Sequence, residues 1–188
     1  MKISILLPLK ENFSPSYAGA VSLFINDTLK SSSFKKDITV FGHTNYRKKF
    51  NQKYHNIDIK KNFFSSQNKE YVKKFIKIEK KINSQIIELH NRPIYLKYLV
   101  NDLKEKDYIL YFHNDPLTMS GSKSVKERSF LLNNCYRIIF NSNWSKKRFL
   151  QKMKSDLVNS EKLLVVNQSA NKQKINFENK QKIITFVG

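Results

Sequence analysis

The sequence predicts an α/β fold in which a Rossmann-like parallel sheet carries helices on both faces. Short apolar runs alternate with amphipathic helical stretches along the chain, which is the pattern of βαβ units. Most of these runs are apolar throughout, as strands buried on both faces of a parallel sheet are. The 188 residues, 40% of them hydrophobic and 13% aromatic, are enough to bury one substantial core.

Six apolar runs have the length and the bulky side chains of strands. In chain order they cover residues 3–7, 38–41, 86–89, 108–112, 137–140 and 163–166. The pattern is weaker over residues 43–66, where we expect a loop with a short strand near residues 57–59.

Helices are predicted between these strands, the first after Gly19 has turned the chain away from the first strand. Two stretches place apolar residues at helical spacing: Val21, Phe24, Ile25, Thr28 and Leu29, then Tyr71, Val72, Phe75, Ile78 and Ile82. Further helices are expected over residues 93–106, 122–134 and 143–155. Ser122 and Ser142 are the expected N-caps of the last two.

The domain organisation follows from the composition of the last residues. We expect residues 1–169 to form one domain and the Lys-, Asn- and Gln-rich residues 170–182 to form a linker. Residues 183–188 have the pattern of a strand followed by a turn glycine, which is how a further domain would begin. The sequence therefore predicts a chain that is cut off where a second domain starts.

The chain is strongly basic, with 35 Lys and Arg against 15 Asp and Glu and a formal net charge of +20. Such a surface attracts anionic partners, among them nucleic acid, anionic lipid and phosphorylated sugars. A drift of composition towards lysine explains the charge equally well without any function. The charge alone therefore does not select a partner.

Several classes of protein are excluded or disfavoured by the residue inventory. Cys135 is the only cysteine, so intrachain disulfides and multi-cysteine zinc sites are excluded, and its place beside a strand favours a core thiol. No P-loop, dinucleotide-binding glycine motif, nucleophile elbow or H-E-x-x-H motif occurs. Without a signal peptide or an apolar run of about 18 residues, the chain is expected to be cytoplasmic.

Polar residues follow several predicted strands, at the edge of a parallel sheet where ligands bind. Gly19 and Ala20 form a strand-to-helix turn that can approach a phosphate, although a plain turn has the same pattern. The pairs His90–Asn91 and His113–Asn114 each end a strand and offer hydrogen bonds to sugar hydroxyls. A structural histidine is the alternative at either place. Their equivalent positions favour a binding site, with His113 preferred.

A fourth candidate combines the segment Gly121–Arg128 with Asn141 and Ser142 at the end of the next strand. The segment is predicted to place Lys126, Glu127 and Arg128 on one helix. It is either an anion- or sugar-binding loop or a solvated helix face, and both interpretations stay open.

With these residues the sequence resembles the N-terminal domain of glycosyltransferase family 4, retaining enzymes of the two-Rossmann GT-B type. The resemblance covers nearly the whole chain. It rests on the order and spacing of motifs that are individually loose: Gly19–Ala20, residues 87–91 and 110–114, Arg128, and residues 139–144, 165–167 and 186–188.

The resemblance implies that a nucleotide-sugar binds in a cleft between two domains and that its sugar passes, with retention, to a glycan or lipid-linked acceptor. Gly19, Ala20 and Asn167 would then lie against the donor diphosphate, and His113 would be the catalytic residue at the transferred sugar. No metal ion or other cofactor is expected. The remaining candidates would contact the sugar or the acceptor: His90, Asn91, Asn114, Arg128 and Ser142.

The sequence departs from the family in two respects. Ala18 or Ala20 stands where the family often has a second glycine, and the acidic E-x7-E element of the second domain is absent. We therefore expect the chain alone to be inactive. The implied products are cell-surface polysaccharide, lipopolysaccharide or glycolipid, with the basic surface docked on the inner face of the membrane.

The alternative is a non-catalytic basic domain that binds nucleic acid or a glycan. Aromatic residues alternate with lysines over residues 71–75, as in single-strand binders. These aromatics lie on the predicted apolar stripe of a helix, so nucleic acid is not the expected partner.

Overall fold

A parallel sheet forms the centre of the domain. The computed structural model describes residues 1–59, 66–154 and 160–168. Its strands are β1 (Ile3–Leu6), β2 (Ile38–Gly42), β3 (Tyr54–Asn56), β4 (Ile86–His90), β5 (Asp107–Phe112), β6 (Arg137–Phe140) and β7 (Leu163–Val165). Their order across the sheet is β3-β2-β1-β4-β5-β6-β7, and every neighbouring pair is parallel. The predicted Rossmann-like sheet is confirmed.

All six predicted strands are present, and a seventh lies at the edge of the sheet. This strand, β3, pairs Tyr54 with Val40 of β2 and ends before the predicted position at residues 57–59. Ile57 is buried in the core directly after the strand. The apolar signal therefore marked a core contact, and the pairing itself uses more polar residues.

Five α-helices lie between the strands in the described residues. They are α1 (Ala20–Ser31), α2 (Gln67–Ile82), α3 (Leu96–Leu99), α4 (Val125–Asn134) and α5 (Asn143–Leu150), with 3-10 turns at Pro93–Tyr95 and Pro116–Thr118. The helix predicted over residues 93–106 is thus reduced to a 3-10 turn and a single α-turn. The helix predicted over residues 143–155 ends at Leu150.

Of the two serines predicted as N-caps, one has that role and the other does not. Ser142 is the N-cap of α5, because its hydroxyl accepts a hydrogen bond from the Ser145 amide at 3.2 Å. Ser122 is not the N-cap of α4. That role belongs to Ser124, which forms a reciprocal capping box with Glu127. Ser122 instead donates its hydroxyl to the Pro116 carbonyl at 2.5 Å, inside the preceding loop.

The helices pack on both faces of the sheet, but unequally. On one face α1 buries Val21, Ile25 and Leu29 against β1 and β2, while the predicted Thr28 is exposed. Helices α2 to α5 cover the other face and share its larger core. As a result, buried residues of β4 and β5 alternate with more exposed ones. The expectation that strands are buried on both faces is therefore not met in β4 and β5.

The strand order has a reversal point between β1 and β4. From β1 the chain builds outward to β2 and β3, and then returns to place β4 on the other side of β1. Loops that leave β1 and β4 in opposite directions open a crevice at the carboxyl ends of these strands, which is where open α/β sheets bind ligands. The strand order alone therefore predicts a ligand site between the carboxyl ends of β1 and β4.

Two further expectations concern the ends of the chain and the membrane. The predicted linker, residues 170–182, and the predicted strand at residues 183–188 lie outside the described residues. None of the helices in the described part combines the length and apolar character needed to cross a bilayer.

Candidate functional site

The crevice between β1 and β4 contains a cavity of about 320 Å³. Its walls come from the loops after β1, β4 and β5, from the start of α1 and from the residues after β7. The lining residues are Pro8, Glu11, Ala20, Val21, Asn91, Arg92, His113, Asn114 and Gln168. Four residues predicted from the sequence, distant along the chain, therefore share one cavity: Ala20, Asn91, His113 and Asn114.

The backbone of His113, directly after β5, is held by hydrogen bonds to two asparagine side chains. Its N–H donates to the Oδ1 atom of Asn91 at 2.8 Å, and its carbonyl accepts from the Nδ2 atom of Asn141 at 2.7 Å. Asn91 adopts a left-handed conformation with φ of 51° and donates its own N–H to the Tyr111 carbonyl. Asparagine tolerates this conformation better than most residues. The loops after β4, β5 and β6 are thus tied together around the His113 backbone.

The His113 ring belongs to a line of hydrogen bonds that runs along the α1 side of the sheet. Its Nε2 atom lies 2.8 Å from Nδ1 of His90, and its Nδ1 atom lies 2.5 Å from Nε2 of Gln168. His90 continues the line, with its Nε2 atom 2.6 Å from a carboxylate oxygen of Glu88. His90 is fully buried, so it supports His113 from behind and does not line the cavity.

The environment of His113 keeps its ring neutral. Burial, and to a smaller extent the neighbouring His90, lowers the pKa of His113 to about 3. Phe24 of α1 contributes to this burial with an edge-to-face contact of 5.0 Å between ring centroids. A neutral imidazole can accept a hydrogen bond from a hydroxyl, which an imidazolium cannot.

The N-terminus of α1 borders the cavity, but a carboxylate already lies against it. Gly19 is the N-cap and provides no side chain, so Glu11 takes the capping role and accepts the Ser22 amide at 3.0 Å. A Cβ atom at Gly19 would collide with this carboxylate. The glycine predicted to admit a phosphate therefore admits the Glu11 side chain in this structure.

Arg92 is the cationic side chain of the cavity wall. It follows Asn91 in the loop after β4, and its Nη1 atom donates to the Asn91 carbonyl at 2.8 Å. It faces the same cavity as Glu11, so the charges that meet a ligand here are one guanidinium and one carboxylate.

Besides Gly19 and His90, three predicted site residues do not line this cavity. Arg128 is buried, and its guanidinium donates to the carbonyls of Ser122, Lys123 and Gln151 at 2.7 to 3.1 Å. Ser142 caps α5, and Asn167 is exposed beside the cavity residue Gln168.

A second cavity, of about 450 Å³, lies next to the first at the carboxyl ends of β1 and β2. Its described lining comes from the two loops after these strands, from a residue after β3 and from the start of α2. The lining residues are Leu9, Lys10, Asn12, His43, Asn45, Ile59 and Gln67. Three amides, a histidine and a lysine line it together with the apolar Leu9 and Ile59, which is a composition suited to a polar ligand with hydroxyl groups.

Solved structures share this architecture. HepE from Anabaena, in complex with UDP and glucose, matches over 91% of this chain and 45% of its own, with a TM-score of 0.60 and 14% identity. The lipopolysaccharide outer core galactosyltransferase WaaB matches over 96% of this chain and 50% of its own, with a TM-score of 0.62 and 16% identity. No protein-family model and no curated protein sequence matches the chain.

The chain has the fold of one half of a GT-B enzyme. It spans about half the length of HepE and WaaB. A UDP-N-acetylglucosamine 2-epimerase from Rickettsia bellii also matches over 89% of this chain and 45% of its own, with a TM-score of 0.52 and 9% identity. Because a transferase and an epimerase share the fold, the reaction has to be argued from the site.

Sequence reasoning missed four residues of the site: Glu11, Glu88, Arg92 and Gln168. Glu88 stands inside an otherwise apolar run, and this position could have marked it as a site residue, because a buried acid needs a hydrogen-bond partner. Arg92 adjoins the predicted His90–Asn91 pair and could have been added to it. Glu11 and Gln168 carry no local signal, because only the fold brings them to α1 and His113.

Proposed function

We propose that this chain is the acceptor-side domain of a retaining glycosyltransferase of family 4, acting with a nucleotide-sugar as donor. The observation that carries the proposal is the cavity at the reversal point of the sheet. This cavity is lined by the neutral ring of His113, the amide of Asn114, the start of α1 and Arg92. The sugar and the diphosphate of one donor find complementary groups side by side there.

The sugar end of the donor would lie at His113. A neutral imidazole and the Asn114 amide recognise hydroxyl groups through hydrogen bonds without needing a charge on the ligand. His113 is the proposed catalytic residue, since its ring would contact the transferred sugar. HepE, which shares the fold, was crystallised with UDP and glucose, and this supports a nucleotide-sugar as the donor class.

The diphosphate would lie between Arg92 and the start of α1. Ala20 borders the cavity at the first turn of this helix, where backbone N–H groups and the helix dipole attract anions. The Glu11 carboxylate occupies that position in the free chain, so donor binding would displace it. Arg92 and the helix N-terminus supply the positive charge, and the proposed reaction uses no metal ion.

The sugar acceptor would occupy the neighbouring cavity at the ends of β1 and β2. Its amides, Lys10 and His43 suit a hydroxyl-rich glycan, and its position beside the first cavity would bring a glycan hydroxyl towards the donor. The proposed products are cell-surface polysaccharide, lipopolysaccharide or glycolipid. WaaB, a lipopolysaccharide outer core galactosyltransferase of the same fold, supports this class.

We further propose that the domain works in the cytoplasm, on the inner face of the membrane. The net charge of +20 favours an anionic surface. The outer side of α5 provides a local contact, where Trp144 is 58% exposed beside Lys147 and under the guanidinium of Arg148. An exposed indole flanked by cations is typical of proteins that lie at a bilayer interface.

The decisive experiment measures nucleotide-sugar binding rather than turnover, because the chain spans only about half the length of HepE and WaaB. Saturation-transfer NMR should show contact to the sugar protons of UDP-glucose and UDP-N-acetylglucosamine, with free UDP as the comparison that lacks the sugar. His113→Asn should weaken the sugar signals, while His55→Asn, on the exposed edge strand β3, should leave them unchanged. Salt-sensitive binding to single-stranded DNA, with no nucleotide-sugar bound, would favour the non-catalytic alternative instead.

A further inference from the structure

Glu88 and His90 lie behind the proposed catalytic residue and have no part in the proposed function. Glu88 stands in the middle of β4 with 18% of its side chain exposed, and His90 ends the same strand with none exposed. His90 is also packed parallel to the Tyr111 ring, at 4.8 Å between centroids and with 9° between the planes. The two residues are therefore held in place, and only His113 connects them to the cavity.

The two ends of this line differ in hydrogen-bonding capacity. An ionised carboxylate can only accept, so the 2.6 Å contact with Glu88 requires the proton of His90 to lie on Nε2. At the other end the amide nitrogen of Gln168 lies 2.5 Å from Nδ1 of His113, an arrangement in which Nδ1 accepts. Only the Glu88 end is fixed in its role, because the exposed amide of Gln168 can turn its oxygen to the place of its nitrogen.

The middle contact agrees with both ends. A neutral imidazole has one N–H and one bare nitrogen, so His90 protonated on Nε2 accepts at Nδ1. Nε2 of His113 must then donate to it, which leaves Nδ1 of His113 bare. These are the two atoms that lie 2.8 Å apart. All three hydrogen bonds consequently point in one direction, from Gln168 through His113 and His90 to Glu88.

We propose that Glu88 and His90 are positioning residues that fix His113 in its Nε2–H tautomer, so that Nδ1 faces the cavity as a hydrogen-bond acceptor. A ligand that displaces Gln168 must then offer a donor to this atom, which selects a hydroxyl over a carbonyl or phosphate oxygen. This inference deepens the proposed function, on which it rests in taking His113 as the residue that meets the sugar.

The tautomer can be measured directly in the free chain. Two-bond ¹H–¹⁵N correlation spectra of the full 188-residue chain at pH 8 distinguish Nδ1–H from Nε2–H for each of the four histidines. His43 supplies an internal reference of the opposite kind, because its Nδ1 atom lies 2.9 Å from the Ile57 carbonyl and must donate. The His90→Asn and His113→Asn variants assign the two signals of the line.

The expected result is an Nε2–H tautomer for His113 and for His90, with His43 in the Nδ1–H form. Glu88→Gln should convert His113 to a mixture of both tautomers, because an amide can donate to His90 as well as accept from it. The matched control Glu105→Gln removes one exposed carboxylate elsewhere and should leave the His113 tautomer unchanged.

Two outcomes would overturn the proposal: an Nδ1–H tautomer for His113 in the unaltered chain, or an unchanged tautomer in folded Glu88→Gln. If that variant does not fold, the spectrum of the unaltered chain still decides. The measurement needs no ligand, so a failure of nucleotide-sugar binding would defeat the proposed function and leave the tautomer result standing.

Discussion

Glu11 accepts a hydrogen bond from the backbone N–H of Ser22, eleven residues further along the chain, at 3.0 Å and thereby caps α1. The contact satisfies an N–H that Gly19, without a side chain, leaves free. It also places a negative charge where the donor diphosphate is proposed to bind.

The first prediction is that Glu11→Gln strengthens binding of UDP. Removing the carboxylate takes away a competitor at the helix N-terminus, where a charge contributes about 0.3–1 kcal/mol, or roughly a 2- to 5-fold change in Kd. Isothermal titration calorimetry against UDP measures the change, with Glu105→Gln as the control for the loss of one negative charge. Weaker or equal binding by the variant would place the diphosphate elsewhere.

The second prediction concerns stability below neutral pH. Burial holds the pKa of His113 at about 3, whereas a histidine in the unfolded chain titrates near its ordinary value of about 6.5. Between these values the unfolded state binds the extra proton, so this residue destabilises the fold as the pH falls from about 6.5 towards 3.

Urea unfolding at pH 7 and pH 4.5 tests this effect. The drop in unfolding free energy between the two pH values should be smaller in His113→Asn than in the unaltered chain. His55→Asn, which replaces an exposed histidine, should retain the full drop. An equal drop in all three proteins would show that His113 is not the group responsible.

The third prediction is that Glu79 anchors α2 to the sheet. Its buried carboxylate accepts from the Ser4 hydroxyl of β1 at 2.6 Å and from both the N–H and the hydroxyl of Ser84 at 2.8 and 2.5 Å. Glu79→Ala should lower the free energy of unfolding by about 3 kcal/mol, since hydrogen bonds to charged groups contribute about 1.5–3 kcal/mol each.

Chemical denaturation followed by circular dichroism gives this value. The control Glu105→Ala removes an exposed carboxylate and should change the unfolding free energy by no more than about 0.5 kcal/mol. A loss below about 1 kcal/mol in Glu79→Ala would mean that water replaces the carboxylate at little cost.

The fourth prediction distinguishes two roles for Arg128. Its guanidinium bonds three backbone carbonyls, and a lysine cannot reproduce that planar geometry. Arg128→Lys should therefore lower the unfolding free energy by about 2–4 kcal/mol and leave the affinity for UDP-glucose unchanged. Arg47→Lys, at an exposed position, is the matched control. Full stability with weakened sugar binding would restore the ligand-binding role expected from the sequence.

The fifth prediction tests membrane contact at α5. The chain should sediment with vesicles rich in anionic lipid at low salt and dissociate at high salt, as screened electrostatic attraction requires. Trp144→Ala should reduce sedimentation. Tyr136→Ala is a close control, because that exposed ring also lies under an arginine but at the opposite end of the sheet. Equal binding to neutral and anionic vesicles would contradict the proposal.

The local sequence pattern predicted an element correctly where a single physical cause determines that element. The apolar runs predicted six strands because a strand in a parallel sheet must bury its side chains, and all six are present. Ser142 was predicted as an N-cap from its place before a helix, and it is one. In the weaker segment 43–66 the strand is formed by Tyr54–Asn56, where pairing with β2 overrides a lower apolar content.

The amino-acid sequence by itself determined the fold class, the positions of six strands along the chain and the four candidates that line the cavity, because these depend on periodicity and on which residues follow a strand. The tertiary structure decided what those residues do. Glu11 reaches α1, and Gln168 and Glu88 reach opposite ends of the histidine pair, only because the parallel sheet brings distant loops to one edge. Hydrogen bonds between residues far apart in the chain leave no local pattern, since their partners are chosen by packing.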